Sequence, residues 1–245
     1  ETTDGNSLSI ANLRSINEMD DALKGTPDFQ YVVELQINAV DNPMFHKPNA
    51  YGFNEVTDTT LKRASPQINH ISMHFASVPL LSGRAYLTEN SLCNETRMEN
   101  NNCENDYCGC THVEKVPLNS LVEFIIVDTI AGTSHPMHLH GYTYRVIGME
   151  RLDEPVDKET ILEFDAANLL PRNFDNPPLK DTVNVPGQGY TIIRFIASNP
   201  GYWFLHCHLE YHTALGMGLV LQTGENDDML PVPDNFPRCG DYSQS

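Results

Sequence analysis

Two short segments hold six of the ten histidines in this chain of 245 residues. Residues 135–141 read His-Pro-Met-His-Leu-His-Gly, and residues 206–212 read His-Cys-His-Leu-Glu-Tyr-His. Imidazole and thiolate groups are ligands that zinc and copper prefer in proteins. A lone histidine is more often an ordinary core or surface residue, but six histidines and one cysteine at this spacing predict metal binding.

Strand geometry divides these side chains between two sites. Successive side chains of a strand point to opposite faces, so residues of equal parity share a face. The odd-numbered His135 and Cys207 are therefore predicted on one face. The even-numbered residues are predicted to converge on the other, and they are His138, His140, His206 and His208. Four imidazoles together suit copper that reacts with dioxygen.

The odd-numbered site gains two more donors from residues that follow the second segment. Cys207 offers a thiolate, His135 and His212 offer imidazoles, and Met217 offers a thioether. Two nitrogens and one sulfur with a weak axial thioether are the ligand set of blue copper. Imidazole alone also accepts zinc, but a cysteine beside redox-compatible ligands favours electron transfer.

The elements that position these residues are predicted to be short strands. Residues 33–39 alternate between apolar and polar side chains, which indicates a half-buried strand, and residues 121–127 are apolar apart from Glu123, as in a central strand. Further strands are predicted at 142–149, 190–197, 202–206 and 217–222, with turns at 186–189 and 199–201. A weak helix at 159–170 ends before Pro171. The pattern predicts an all-β sandwich or barrel with long loops and few short helices.

The charge balance excludes one class of partner. The chain carries 15 basic and 33 acidic residues, a net charge of −18. Because this field repels phosphate, no nucleic-acid partner is expected. Cationic or neutral small substrates are compatible with it, although solubility alone also accounts for the charge. No apolar run reaches the ~18 residues that a membrane helix needs, so no membrane span is predicted.

Four of the six cysteines crowd an Asn-rich stretch, residues 90–112. The glycosylation sequon Asn94-Glu95-Thr96 lies inside it, which predicts a secreted, extracellular glycoprotein. Zinc is the rival interpretation, but the paired spacing of structural zinc sites is absent from this stretch. With Cys207 on a metal, an odd number of cysteines remains, and two disulfides are expected within the set Cys93, Cys103, Cys108 and Cys110.

The two motifs, His-Pro-x-His-Leu-His-Gly and His-Cys-His-x₃-His-x₃-Gly-Met, resemble the C-terminal copper motifs of the multicopper oxidases: laccases, ascorbate oxidase and ferroxidases. Residues 176–183 and 201–204 are similar to arthropod laccases in particular. The resemblance spans about residues 29–224. It implies type 1 copper ligands at His135, Cys207 and His212, with Met217 axial. It also implies a type 2 ligand at His138 and type 3 ligands at His140, His206 and His208.

This resemblance implies a cupredoxin-like Greek-key domain at residues 27–225. Residues 1–26 are expected to be a linker or the tail of a preceding domain, and residues 226–245 a C-terminal tail. The implied reaction is one-electron oxidation of diphenols or aminophenols at type 1 copper, coupled to reduction of dioxygen to water at a trinuclear copper cluster. The expected catalytic residues are His206, Cys207, His208 and Glu210, where Glu210 relays protons or is a plain exposed carboxylate.

In one respect this chain departs from the family. Multicopper oxidases complete the cluster with a further pair of His-x-His motifs in their first domain, and this sequence has no such pair. The other histidines, His46, His70, His74 and His112, are expected to be ordinary residues. The resemblance therefore implies N-terminal cupredoxin domains as the partner, and a disulfide from Cys239 to a part of the enzyme outside this sequence. The alternatives are a ferroxidase and a stand-alone electron-transfer cupredoxin, which has no use for the four even-numbered histidines.

Overall fold

The computed structural model describes residues 9–43, 63–88, 90 and 92–237, and within these the chain forms two β-sheets. The first sheet has the spatial order β2 (Arg63–Ile68), β1 (Phe29–Val40), β6 (Leu121–Asp128), β11 (Gly189–Ile196), β8 (Tyr144–Arg151), β9 (Leu179–Lys180). The second has the order β10 (Thr182–Val185), β7 (His135–Leu139), β12 (Gly201–Cys207), β13 (Gly218–Thr223), β5 (Gly109–Val116), β3 (Ser72–Met73), with β4 (Leu92–Cys93) also paired to β5. The expected all-β sandwich is confirmed.

The helices in the described part of the chain are short. They are α1 (Glu95–Met98), α2 (Lys158–Ala166) and α3 (Glu210–Leu215). The helix expected at 159–170 corresponds to α2, whereas α3 falls where the sequence predicts no helix. None of the described helices has the length and apolar character needed to cross a membrane.

The main core lies between the two sheets. Every residue of β6 is buried, as expected for a central strand between parallel β1 and antiparallel β11. Phe124 and Ile126 of β6 pack in one cluster with Leu205 and Leu219 of the second sheet. The inner faces of β12 and β7 therefore pack against the first sheet, and their outer faces point away from this core.

One of the two acidic residues of β6, Glu123, is paired with two arginines. Glu123 is fully buried and accepts hydrogen bonds from Arg194 at 2.6 Å and Arg172 at 2.6 Å. Burial raises the pKa of Glu123, but the bonds from Arg172, Gln30 and Arg194 outweigh it and the pKa is lowered. Arg194 also donates to the carbonyl of Gly25 at 2.7 Å, which fastens the preceding segment to the sheet.

Residues 9–26 lie against the first sheet. Met19 is 4% exposed and packs in a second apolar cluster with α2. Arg145 of β8 donates to the carbonyl of Glu18 at 2.7 Å, and the amide of Ser15 donates to the carbonyl of Asn176 at 2.8 Å. Whether these residues also serve as a linker or the tail of a preceding domain stays a prediction.

The cysteine-rich stretch is closed by two disulfides. Cys93 pairs with Cys110, and Cys103 pairs with Cys108, which confirms the expected two bridges within this set. The sequon residue Asn94 caps α1 by accepting from the amide of Arg97 at 3.1 Å. The expectations for Cys239 and His46 fall on residues outside the described ranges.

Candidate metal centre

Strands β7 and β12 lie side by side and carry both histidine segments. They pair antiparallel, with His206 opposite His138 and Cys207 opposite Met137. The amide of His208 continues the pairing by donating to the carbonyl of Pro136 at 2.7 Å. Burial alternates along β7, and the buried residues are His135, Met137 and Leu139. The two faces of the paired strands therefore present different residues, as strand periodicity predicts.

The outer face gathers the four even-numbered histidines, His138, His140, His206 and His208, which we call the imidazole cluster. Ligand nitrogens of the first three lie within 4.8 Å of one another. The Nε2 atoms of His140 and His206 are 3.1 Å apart. The ring centroid of His208 is 5.8 Å from that of His138 and 5.8 Å from that of His206. His140 and His208 are exposed, so the cluster opens to one side.

Backbone carbonyls orient two of these rings. Nδ1 of His138 lies 2.9 Å from the carbonyl oxygen of Asp181, and Nδ1 of His206 lies 2.9 Å from that of Cys207. A carbonyl only accepts, so each Nδ1 donates and each Nε2 keeps its lone pair. Phe204 stacks on His206 at 4.7 Å and limits its rotation. The Nε2 atoms of His138 and His206 are therefore available, with their lone pairs, to bind a metal ion.

The inner face brings together His135, Cys207, His212 and Met217, which we call the sulfur site. Sγ of Cys207 is 3.8 Å from Nδ1 of His212, and the rings of His135 and His212 are 5.0 Å apart. Cys207 and Met217 are both fully buried in the main core. The amide of Cys207 donates to the carbonyl of Met217 at 3.1 Å. Among the described cysteines, Cys207 alone is outside a disulfide.

Helix α3 follows β12 and places His212 beside Cys207 in the sulfur site. The helix ends at Gly216, whose φ of 120° is unfavourable for other residues, and a Cβ there would lie 2.8 Å from Cα of Ser72. The amide of Gly216 donates to the carbonyl of His212 at 3.1 Å. Strand geometry, applied to the whole of residues 206–212, does not predict this helix. Gly216, as a helix-terminating residue four positions beyond His212, was the available indication.

A buried carboxylate holds the second imidazole of the sulfur site. Oδ2 of Asp128 lies 2.6 Å from Nδ1 of His135, and both residues are 0% exposed. Oδ1 of Asp128 accepts from the amide of Ile130 at 3.0 Å, which fixes the carboxylate. Nε2 of His135 is buried and has no hydrogen-bond partner among the described residues. A buried nitrogen that has no hydrogen-bond partner is consistent with a metal-ligand atom.

The electrostatics of both sites favour a bound cation. Burial raises the pKa of the Cys207 thiol to about 11, so a positive partner is needed to stabilise the thiolate at neutral pH. Burial lowers the pKa of His206, His140 and His212, and neighbouring imidazoles lower each further. These histidines therefore stay neutral, the form that binds metals. The donor set and its electrostatics fit copper at both sites.

The remaining candidates are Glu210 and three further histidines. Glu210 is exposed in the first turn of α3. His70 contacts Gln36 at 2.7 Å, and His112 lies 3.4 Å from Glu114. His74 hydrogen-bonds Tyr107. None of these three histidines belongs to the metal-ligand group found among the described residues.

The contact between Asp128 and His135 predicts the effect of one substitution. Asp128→Asn keeps the shape but removes the negative charge beside His135, and such carboxylate partners contribute about 10-fold to 100-fold in metal affinity. We expect the sulfur site to bind copper at least about 10-fold more weakly, measured by competition with a chelator of known affinity. The matched control is Asp153→Asn, which removes the same charge from an exposed residue. Equal affinity in the two variants would contradict the role of Asp128.

Comparison with known proteins identifies the family of this chain. The family model described as "Multicopper oxidase" matches residues 84–227. Laccase-2 of Oryza sativa subsp. japonica is 39% identical over 136 residues, covering 53% of this chain and 22% of that protein. Laccase-17 of Arabidopsis thaliana is 39% identical over 137 residues, with the same coverage of 53% and 22%. The chain thus spans about a fifth of the length of these curated relatives.

Solved structures share the fold at lower identity. The L499M mutant of the laccase from B. aclada has a TM-score of 0.58 at 20% identity, covering 91% of this chain and 32% of that chain. Fet3p, described as a multicopper oxidase that functions in iron import, has a TM-score of 0.53 at 23% identity, covering 86% and 36%. These likenesses confirm the expected cupredoxin-like fold.

Proposed function

Because this chain belongs to the multicopper oxidase family, we propose that it is the C-terminal part of a laccase-like enzyme. Residues 27–225 form its C-terminal cupredoxin domain, and residues 226–245 its tail. The observation that carries the proposal is the opposite orientation of neighbouring side chains on β12. Cys207 faces the buried sulfur site while His206 faces the open imidazole cluster. One strand thus joins an electron-accepting site to an oxygen-reacting one.

The proposed ligands divide between a type 1 copper and part of a trinuclear cluster. His135, Cys207, His212 and Met217 would hold the type 1 copper, and the imidazole cluster would supply type 2 and type 3 ligands. When bound, these coppers supply one-electron oxidation of diphenols or aminophenols and reduction of dioxygen to water. The lowered pKa of His206, His140 and His212 and the raised pKa of the Cys207 thiol support this assignment.

The chain itself provides the connection between the two sites. Cys207 is bonded through its backbone to His206 and His208, and Nδ1 of His206 donates to the carbonyl of Cys207 at 2.9 Å. Cys207, where this path begins, is buried in the core behind β12. Glu210, exposed and two residues beyond His208, is proposed to relay protons to the cluster.

A phenol is proposed to dock beside His212. Leu209 and Tyr211 precede this histidine in sequence and are 43% and 57% exposed. The ring of Tyr211 lies 6.3 Å from that of His212, and the amide of Leu209 lies 3.5 Å from Sγ of Cys207. An apolar side chain and an aromatic ring near the sulfur site suit an aromatic substrate.

The open side of the imidazole cluster is proposed to face N-terminal cupredoxin domains of the same enzyme. Phe75 is 73% exposed and packs at 5.5 Å on Phe204, which itself stacks on His206. Exposed aromatic surface beside unsaturated metal ligands is typical of a surface that another domain covers. The two disulfides and the sequon at Asn94 support a secreted, glycosylated enzyme. The relatives reported above are plant laccases, so the particular similarity to arthropod laccases stays a prediction.

The substrate class is tested by placing a charge beside the sulfur site. Leu209→Glu should raise the KM for a diphenol about 10-fold, since that loss is about 1.4 kcal/mol of apolar contact. The control is Leu162→Glu on α2, a leucine with similar exposure, 44% against 43%. The KM and the turnover of both variants are measured as oxygen consumption by the copper-loaded enzyme, first with a diphenol and then with ferrous ion.

The same experiment separates the laccase-like proposal from a ferroxidase. A ferroxidase binds a cation, so the added carboxylate of Leu209→Glu would leave or improve turnover of ferrous ion. Faster turnover of ferrous ion than of diphenols in the unsubstituted enzyme would replace the laccase-like proposal. A stand-alone electron-transfer protein would consume no oxygen with either donor.

A further inference from the structure

The carbonyl of Cys207 accepts hydrogen bonds from two side chains. Nδ1 of His206 donates to it at 2.9 Å, and the hydroxyl of Thr213 donates to the same oxygen. Oγ1 of Thr213 also lies 3.4 Å from Nδ1 of His206. A carbonyl oxygen has two lone pairs, so both acceptor positions of this peptide group are used.

This peptide group lies between the two metal sites. It joins Cys207 of the sulfur site to His208 of the imidazole cluster, and its oxygen contacts the ring of His206. Thr213 follows His212, a ligand of the sulfur site, on the short helix α3. Its hydroxyl therefore fastens the helix that carries one site to the peptide that leads to the other. Neither of the two histidine motifs assigns a function to Thr213.

We propose that Thr213 is a positioning residue for electron transfer from the sulfur site to the imidazole cluster, an inference that rests on the proposed function. The hydroxyl holds the Cys207 carbonyl in the orientation that accepts from His206, which keeps a hydrogen-bonded route beside the covalent one. One electron moves from the reduced sulfur site to the oxidised cluster. No bond forms or breaks, and the hydroxyl keeps its proton.

A purely structural role for Thr213 is the competing explanation. Its amide donates to the carbonyl of Leu209 at 3.1 Å, and its hydroxyl lies 3.4 Å from that same oxygen. Threonine hydroxyls often bond to a carbonyl of the preceding helical turn without further consequence. Such a role affects the stability of α3 and the placement of His212, and it predicts a change in the colour or potential of the sulfur site.

The test uses the copper-loaded holoenzyme that contains this chain. Thr213→Val removes the hydroxyl at nearly constant shape, Thr213→Ala removes it with a better helix former, and Thr213→Ser restores it. The matched control is Thr191→Val, because Thr191 is buried and its hydroxyl donates to a backbone carbonyl, that of Asn184, at 3.2 Å. Three quantities are measured without oxygen: the blue absorption band, the reduction potential of the sulfur site, and the rate of electron transfer to the cluster after pulse reduction.

We expect transfer about five-fold slower in Thr213→Val and Thr213→Ala, about 1 kcal/mol in activation free energy, as for loss of one hydrogen bond. The band and the potential should stay as in the unsubstituted enzyme, and Thr213→Ser and Thr191→Val should transfer at the normal rate. An unchanged rate of electron transfer in both Thr213→Val and Thr213→Ala would overturn the role of Thr213. So would a shift in the reduction potential of the sulfur site that is large enough to explain the slower rate. Either result would leave the proposed function standing. No transfer in the unsubstituted enzyme would overturn the proposed function and the inference with it.

Discussion

Cys207→Ser is expected to abolish the blue colour of the copper-loaded protein while copper remains at the imidazole cluster. The intense colour of such sites requires a thiolate bound to copper, and serine offers only a hydroxyl, which is neutral at neutral pH. Cys207 is fully buried with His212 at 3.8 Å, so no other described cysteine can replace it, since the other four form disulfides. Absorption spectra and copper content measure the two effects.

The reciprocal substitution provides the control. His138→Ala removes a ligand of the imidazole cluster from the opposite face of the paired strands, and it should leave the blue colour intact. A Cys207→Ser protein that stays blue, or a His138→Ala protein that loses the colour with its fold intact, would contradict the division into two sites.

The 245-residue chain by itself is expected not to sustain dioxygen reduction, even when the sulfur site accepts an electron from a diphenol. Four imidazoles on one open face, two of them exposed, provide only one side of a cluster. Each missing ligand removes a bond and part of the geometry that excludes other donors, so a trinuclear group is not held firmly. Adding the N-terminal domains should restore oxygen uptake, which an oxygen electrode records with excess copper and a diphenol.

His206→Ala is the control for this experiment because it removes a cluster ligand next to Cys207. Sustained uptake by the 245-residue chain that disappears in His206→Ala would show that the chain is self-sufficient, for example by sharing ligands between copies. Uptake that persists in His206→Ala would instead indicate free copper in solution. The expected result is a blue protein without sustained uptake.

The sequence by itself determined the fold class and the division of the motif histidines and Cys207 between the two faces of the paired strands. Alternation along a strand is a local property, so the parity of His138, His140 and Cys207 predicted which side chains share a face. The strand expected at 190–197 is observed at Gly189–Ile196, because apolar runs bounded by Gly and Pro turns define a strand locally. Counting cysteines was enough to expect two bridges among the clustered four, although not their pairing.

Only the tertiary structure decided which groups hold the ligands in place. Asp128 meets His135 because β6 of one sheet ends beside β7 of the other, a contact between separate elements that no local pattern records. Thr213 meets the Cys207 carbonyl because α3 reverses the chain after the second motif, and strand geometry does not foresee a helix there. Local periodicity assigns a side chain to a face, whereas its orientation and partners depend on how the chain turns between consecutive elements and packs them together.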